Sequence, residues 1–198
     1  MKIYTGTLSM AVLLLALQSR AQGTFVYDQQ SSDESFIAGT GIGIQTFSPM
    51  GQSFTPALPT IGFARFYMGD ANFGNSLGAT VYLNLRANSI TGPILGTTDP
   101  ISMPDSFSAP VNFFFPTPVA VVPGVTYFLQ PAVQTGDFWY ALIYNTYNYT
   151  GGTAYENGAS QGGLDLWFRE GIVVPEPSSA LLLLLGGGAV MAFRRRKT

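Results

Sequence analysis

The chain has 198 residues, no Cys, no His and only 10% charged residues. These absences exclude disulfides, thiol chemistry, Ser-His-Asp and Cys-His nucleophile arrangements, and thiolate or imidazole metal sites. The net charge of −2 conceals an asymmetry: from Gln22 to Val174 only Arg65, Arg86 and Arg169 oppose ten Asp and Glu, a balance of −7 with no Lys. Nucleic acid and anionic lipid surfaces need Lys and Arg against their phosphates, so they are excluded as partners, while cations and uncharged polymers are not.

The N-terminus places Lys2 before the apolar run "LSMAVLLLAL" and then "QSRAQG". A basic start, an apolar stretch of about ten residues and small residues at the −3 and −1 positions define a secretory signal peptide. Ser19 and Ala21 fill those positions, so residues 1–21 are predicted to be cleaved between Ala21 and Gln22 after use by the Sec export machinery. The body, residues 22–173, has the size of one domain with its own core.

That body reads as all-β. In chain order the strand candidates are "GIGIQTF", "IGFARFYM", "ATVYLNLR", "VNFFF", "VTYFLQ", "FWYALIY" and "LDLWFRE". In "ATVYLNLR", Val81, Leu83 and Leu85 alternate with Thr80, Tyr82, Asn84 and Arg86, the period of two expected for one buried face. "VTYFLQ" sets Val125, Tyr127 and Leu129 on one face. "LDLWFRE" sets Leu164, Leu166 and Phe168 on one face and Asp165, Trp167 and Arg169 on the other. Between the runs lie turn-forming clusters such as "GDANFGNSLG", "NSITGP", "VVPG", "QTGD" and "NGASQGG", in which Gly, Pro, Asn and Asp each favour a reversal for its own stereochemical reason. The pattern predicts an antiparallel two-sheet β-sandwich, jelly-roll-like, of about eight to ten strands. The sandwich is expected to end near Glu170 or Gly171, followed by a short linker to Pro175. No fixed-period repeat points to a solenoid or propeller.

Few residues carry chemistry. "GDANFGN" offers Asp70, Asn72 and Asn75 as oxygen ligands on a glycine-flexed loop. These make calcium the one cofactor the composition favours, against the alternative of an Asx-type turn. No Gly-rich sequence follows a strand and opens a helix, so phosphate loops are absent. Two carboxylates can hydrolyse a glycosidic bond, but ten acids single out no pair, and Asp70, Asp99, Asp105 and Asp137 stand in turn-like contexts. The expectation is a non-enzymatic protein, with a carboxylate glycosidase as the lesser alternative. The run "FWYALIYNTYNYTGGTAY" concentrates aromatics. Trp139, Tyr147 and Tyr149 are candidate glycan contacts, because pyranose rings stack their C–H faces on exposed aromatic faces. The competing reading is that these residues fill the core and brace turns. "NYT" at Asn148 matches a glycosylation acceptor, a pattern common by chance.

The end of the chain is of another kind. Pro175, Glu176 and Pro177 precede the charge-free run Ala180 to Phe193, and Arg194, Arg195, Arg196 and Lys197 follow. The run is shorter than the roughly 20 residues of an ordinary membrane span, and Gly186, Gly187 and Gly188 weaken it as a helix. The flanking positive charge holds the tail on the cytoplasmic side. The tripeptide, the short glycine-containing apolar helix and the basic cluster, in this order at the terminus, closely resemble the PEP-CTERM sorting signal, here residues 174–198. That resemblance implies export in a Gram-negative bacterium and transient insertion in the inner membrane. It further implies recognition of Pro175, Glu176 and Pro177 by an exosortase-type membrane enzyme. Delivery to the cell surface or extracellular matrix follows, in association with exopolysaccharide. Arg194 to Lys197 are then the stop-transfer charges. A plain single-span anchor is the alternative for the tail, and a dedicated carbohydrate-binding module is the alternative for the body. The body also has a looser similarity to the β-sandwich ectodomains that often precede such tails, carried by "GQSFTP", "VPGVTYFL", "YTGGTAY" and "LDLWFRE".

Overall fold

The computed structural model describes residues 23–175, of which Phe25–Val173 form a compact unit. Fourteen strands and no helix occur among the described residues. They are β1 (Thr24–Gln30), β2 (Thr40–Gly43), β3 (Gly51–Phe54), β4 (Thr60–Asp70), β5 (Ala79–Ala87), β6 (Ile94–Thr97) and β7 (Ile101–Met103). The second half adds β8 (Ser108–Ala120), β9 (Tyr127–Gly136), β10 (Trp139–Tyr144), β11 (Ala154–Glu156), β12 (Ala159–Gln161), β13 (Asp165–Leu166) and β14 (Phe168–Val174).

These strands form two antiparallel sheets of seven strands each, packed as a sandwich. The first sheet runs β1-β14-β4-β10-β13, with β8 on β4 and β2 on β10. The second runs β12-β11-β3-β9-β5-β6, with β7 on β5. Each sheet has a long spine, β4 with β8 and β5 with β9, paired over nine registered positions apiece. Side chains alternate across these spines, as strand geometry requires. Val81, Leu83 and Leu85 point inward from β5, and Ala64, Phe66 and Met68 from β4, to meet Phe54, Phe113, Leu129 and Phe168 in one core.

The strand count exceeds the expected eight to ten because short strands of two to four residues give no readable period. β11 and β12 are the clearest case. They are joined at Asn157 and Gly158, whose φ values of 51° and 78° form the left-handed pair of a tight hairpin turn. "GIGIQTF" yields a strand only over Thr40–Gly43 and then turns. Val125 precedes β9 and is exposed rather than sharing the buried face of Tyr127 and Leu129.

Two further expectations are corrected. "LDLWFRE" is broken at Trp167 between β13 and β14, and Trp167 is 0% exposed although it faces away from the main core. Residues 31–38 cover it: its Nε1 donates to the carbonyls of Asp33 and Phe36 at 3.3 Å each, and Ser31 ties the covering segment to Leu166 and Phe168. The last strand also does not stop near Glu170 or Gly171. It continues to Val174, so Pro175 follows the sheet with no linker between them.

Candidate functional site

The predicted glycan contacts separate on folding. In β10 the buried Ala141 and Ile143 set the inward phase, so Trp139 also points inward and is 0% exposed, packed near-parallel to Phe107. Tyr147 is 1% exposed; its hydroxyl donates to the Ala38 carbonyl and accepts from the Ala38 amide. Burial pushes its phenol up in pKa. Tyr149 is half-buried, edge-on to Phe168, with its hydroxyl accepting from the Thr55 amide and donating to Gln29. Burial raises its pKa to about 12. Neither Trp139 nor Tyr147 offers a ring face to solvent, so as surface stacking residues both are corrected to packing residues.

The residues that do reach the surface are their neighbours in the alternation. Tyr140 and Tyr144 point outward from β10 and Tyr67 from β4, all half-buried on the outer face of the first sheet. Tyr140 lies over two glycines. A Cβ on Gly69 would come within 2.6 Å of its Cε1, and a Cβ on Gly41 within 2.7 Å of its Cδ2. Only glycine leaves the floor low enough for the ring to lie across β4. A hydroxyl chain runs beside it: Tyr67 to Ser108 at 3.0 Å and Ser108 to Tyr140 at 3.1 Å. Phasing β10 from Ala141 and Ile143 would have found Tyr140. Nothing in the sequence links it to Tyr67 and Ser108 on separate strands.

The charged residues on this face are committed to one another. Arg65 and Arg169 both reach Glu34 Oε1, at 3.0 and 3.3 Å. The Arg169 guanidinium also sits 3.4 Å from the centroid of the Tyr27 ring.

The calcium candidates lie at the end of β4 and in the loop after it, and hydrogen bonds within the protein engage them. Asp70 accepts from the Asn72 amide at 2.8 Å, an Asx turn, and from the Ser106 amide at 2.9 Å. Asn75 donates to Asp137 and accepts from the Leu77 amide. Asp105 accepts from the amides of Gly74 and Ser76 at 2.8 and 2.7 Å. These bonds hold Asp105 below the usual carboxylate range, with Ser76 the leading cause, and the Asn75 amide does the same for Asp137. Among the described residues no three acidic side chains converge as a metal-binding group. An open cleft of about 650 Å³ adjoins this loop, lined by Ser76, Thr80, Ser102, Asp105 and Thr135. Phe73 in the same loop is 77% exposed.

The remaining notable carboxyls are internal. Asp165 is buried, accepting from Gln52 Nε2 at 2.7 Å and from the Tyr149 amide at 3.1 Å, while Gln52 Oε1 accepts from the Leu166 amide at 2.8 Å. That exchange stitches β3 of one sheet to β13 of the other. Desolvation still raises the Asp165 pKa. Glu170 is 0% exposed and neither oxygen has a hydrogen-bond partner. Burial, reinforced by the nearby Asp28 charge, pushes it up to about 9.

Of the sorting residues, Pro175 is described and is exposed just beyond β14. Glu176, Pro177, Arg194, Arg195, Arg196 and Lys197, with the short apolar helix between them, lie outside the described residues, as do Ala21 and Gln22. Residues 173–197 match the family model described as the PEP-CTERM protein-sorting motif. The chain therefore carries that motif, which marks an exported protein processed by an exosortase and sorted to the surface. No curated protein matches the chain.

Proposed function

We propose that this exosortase substrate is a non-enzymatic protein of the cell surface or extracellular matrix whose β-sandwich associates with exopolysaccharide. The match at residues 173–197 carries the reading. The Sec machinery exports the body behind a signal peptide cleaved after Ala21. Ala180 to Phe193 then rest in the inner membrane, and Arg194 to Lys197 stay on the cytoplasmic side. Pro175, the first residue of the tripeptide, follows Val174, the last residue of β14. Proline fixes its own φ and holds the preceding residue extended, which suits capture by a protease.

Several observations support a non-enzymatic body. A catalytic carboxyl must reach its substrate, whereas the one pushed to about 9, Glu170, is sealed in the core. Asp70 and Asp105 spend both oxygens on backbone amides. A body at −7 suits uncharged rather than anionic polymers.

The test is the mass of the mature C-terminus in a host that makes an exosortase. The expected chain ends between Pro175 and Ser179. An intact Thr198 on the surface protein would overturn processing and leave a plain membrane anchor. Glu176→Ala is expected to leave the tail attached in the same host.

A further inference from the structure

We propose that the outer face of the first sheet, centred on Tyr67, Ser108 and Tyr140, is a binding surface for an uncharged polysaccharide. This rests on the polysaccharide association proposed above and gives it an address.

Three features point to this occupant. The first is the ring of Tyr140. Its hydroxyl reaches Ser108 on β8 and it passes close over Gly69, so the ring lies across β4 rather than standing up from it; it stays partly exposed while packing beside Leu142, Tyr147 and Trp167. A ring standing on edge offers a partner its positive rim, whereas a ring lying down offers its negative face, which attracts the weakly positive C–H groups on the flat side of a pyranose. The second is the hydroxyl chain. Three hydroxyls hold three donors and six acceptor sites. The two bonds joining Tyr67, Ser108 and Tyr140 consume two of each, leaving one donor and four acceptor sites turned to solvent. Sugar hydroxyls, which both donate and accept, complement such a row. The third is charge. The row itself is uncharged, and Arg65 and Arg169 are held by Glu34. Among the described residues no free cation on this face favours an acidic glycan, and the −7 balance disfavours one. The exposed apolar patch at Phe73 lacks the hydroxyl row, and the cleft beside it lacks an aromatic floor.

The experiment is affinity electrophoresis of the full chain in mild detergent. The gels contain hydroxyethylcellulose, the uncharged fraction of the host's exopolysaccharide, or its acidic fraction. Wild type is expected to be retarded by an uncharged polysaccharide. Tyr140→Ala is expected to weaken retention by about tenfold or more, as for a central aromatic anchor. Tyr140→Phe and Ser108→Ala, which keep the packing and remove hydroxyls, are expected to weaken it a few-fold, and Phe73→Ala to leave it unchanged. Thermal unfolding of each variant separates lost binding from lost fold, and the two conservative variants carry the test if Tyr140→Ala unfolds. Retention of wild type with equal retention of Tyr140→Phe and Ser108→Ala overturns this surface while the polysaccharide association stands. Retention by the acidic fraction alone overturns the uncharged class. No retention of wild type in any gel overturns both the association and its surface.

Discussion

The loop around Asp105 and the interior around Glu170 present the same functional group to opposite surroundings. At Asp105 each oxygen accepts a backbone amide, so the charged form is favoured and the pKa falls. At Glu170 neither oxygen has a well-formed hydrogen bond, and burial with the Asp28 charge outweighs the opposing pull of the Gln29 amide, so the neutral acid is favoured and the pKa rises to about 9. Asp165 stands between these cases: it is buried, though less deeply than Glu170, and receives Gln52 and the Tyr149 amide. The comparison teaches that acid count says little about acid chemistry in this domain. What decides it is whether the fold brings an N–H to the oxygen. The loop acids brace turns, Asp165 joins the sheets, and Glu170 is a site of stored instability.

The largest expected effect breaks the middle case. Gln52→Leu removes the donor to Asp165 Oδ1 and the acceptor for the Leu166 amide, leaving a buried carboxylate short of a partner. A loss of roughly 3 kcal/mol is expected in urea unfolding, and a loss below about 1 kcal/mol would show that water replaces the amide.

The next sharpens the internal case. Glu170 has its folded pKa raised above its ordinary value of 4.5 to about 9, so the folded state binds its proton more tightly than the unfolded chain. Its favourable contribution is complete below about 4.5 and is lost as pH rises towards about 9. Glu170→Gln removes that slope. At pH 8 the variant is expected to be more stable than wild type by roughly 2 kcal/mol, with the difference shrinking at pH 5. A parallel pair of stability curves would refute the protonated interior.

The smallest effect belongs to the loop. Asp105→Asn keeps an acceptor but loses the charge-assisted bonds to Gly74 and Ser76. Because the folded pKa lies below 3.8, the contribution is present above that value and disappears as pH falls through the folded pKa. A Tm lower by a few degrees at pH 7, converging with wild type in strong acid, is expected.

Much of the fold was readable where one face alone is buried. Val81, Leu83 and Leu85 announce β5 because their partners in the alternation are largely polar. The reading failed where both faces carry apolar or aromatic side chains. Trp167 lies opposite Leu166 and Phe168 in the alternation, and the period alone does not say that residues 31–38 close over it. In the aromatic run the packing reading holds for Trp139 and Tyr147 and the glycan-contact reading does not. Trp139 and Tyr140 are adjacent, so one must face in and the other out, and composition favours neither. The candidate surface joins Tyr67, Ser108 and Tyr140, with Gly41 and Gly69 under the ring, and these positions meet only through strand register.

The sequence by itself determined the sorting motif, the all-β class and the acidic balance of the body. Each is written in local order or in composition, and none depends on a distant residue. The tertiary structure alone decided which aromatics reach solvent and which carboxyls find donors. A strand's alternation defines two faces without saying which one the other sheet will cover. A carboxylate's partner is also often far along the chain, as Gly74 is from Asp105 and Gln52 from Asp165. The prolines at the end therefore speak for delivery, while the surface that waits on the delivered domain exists only once β4, β8 and β10 lie side by side.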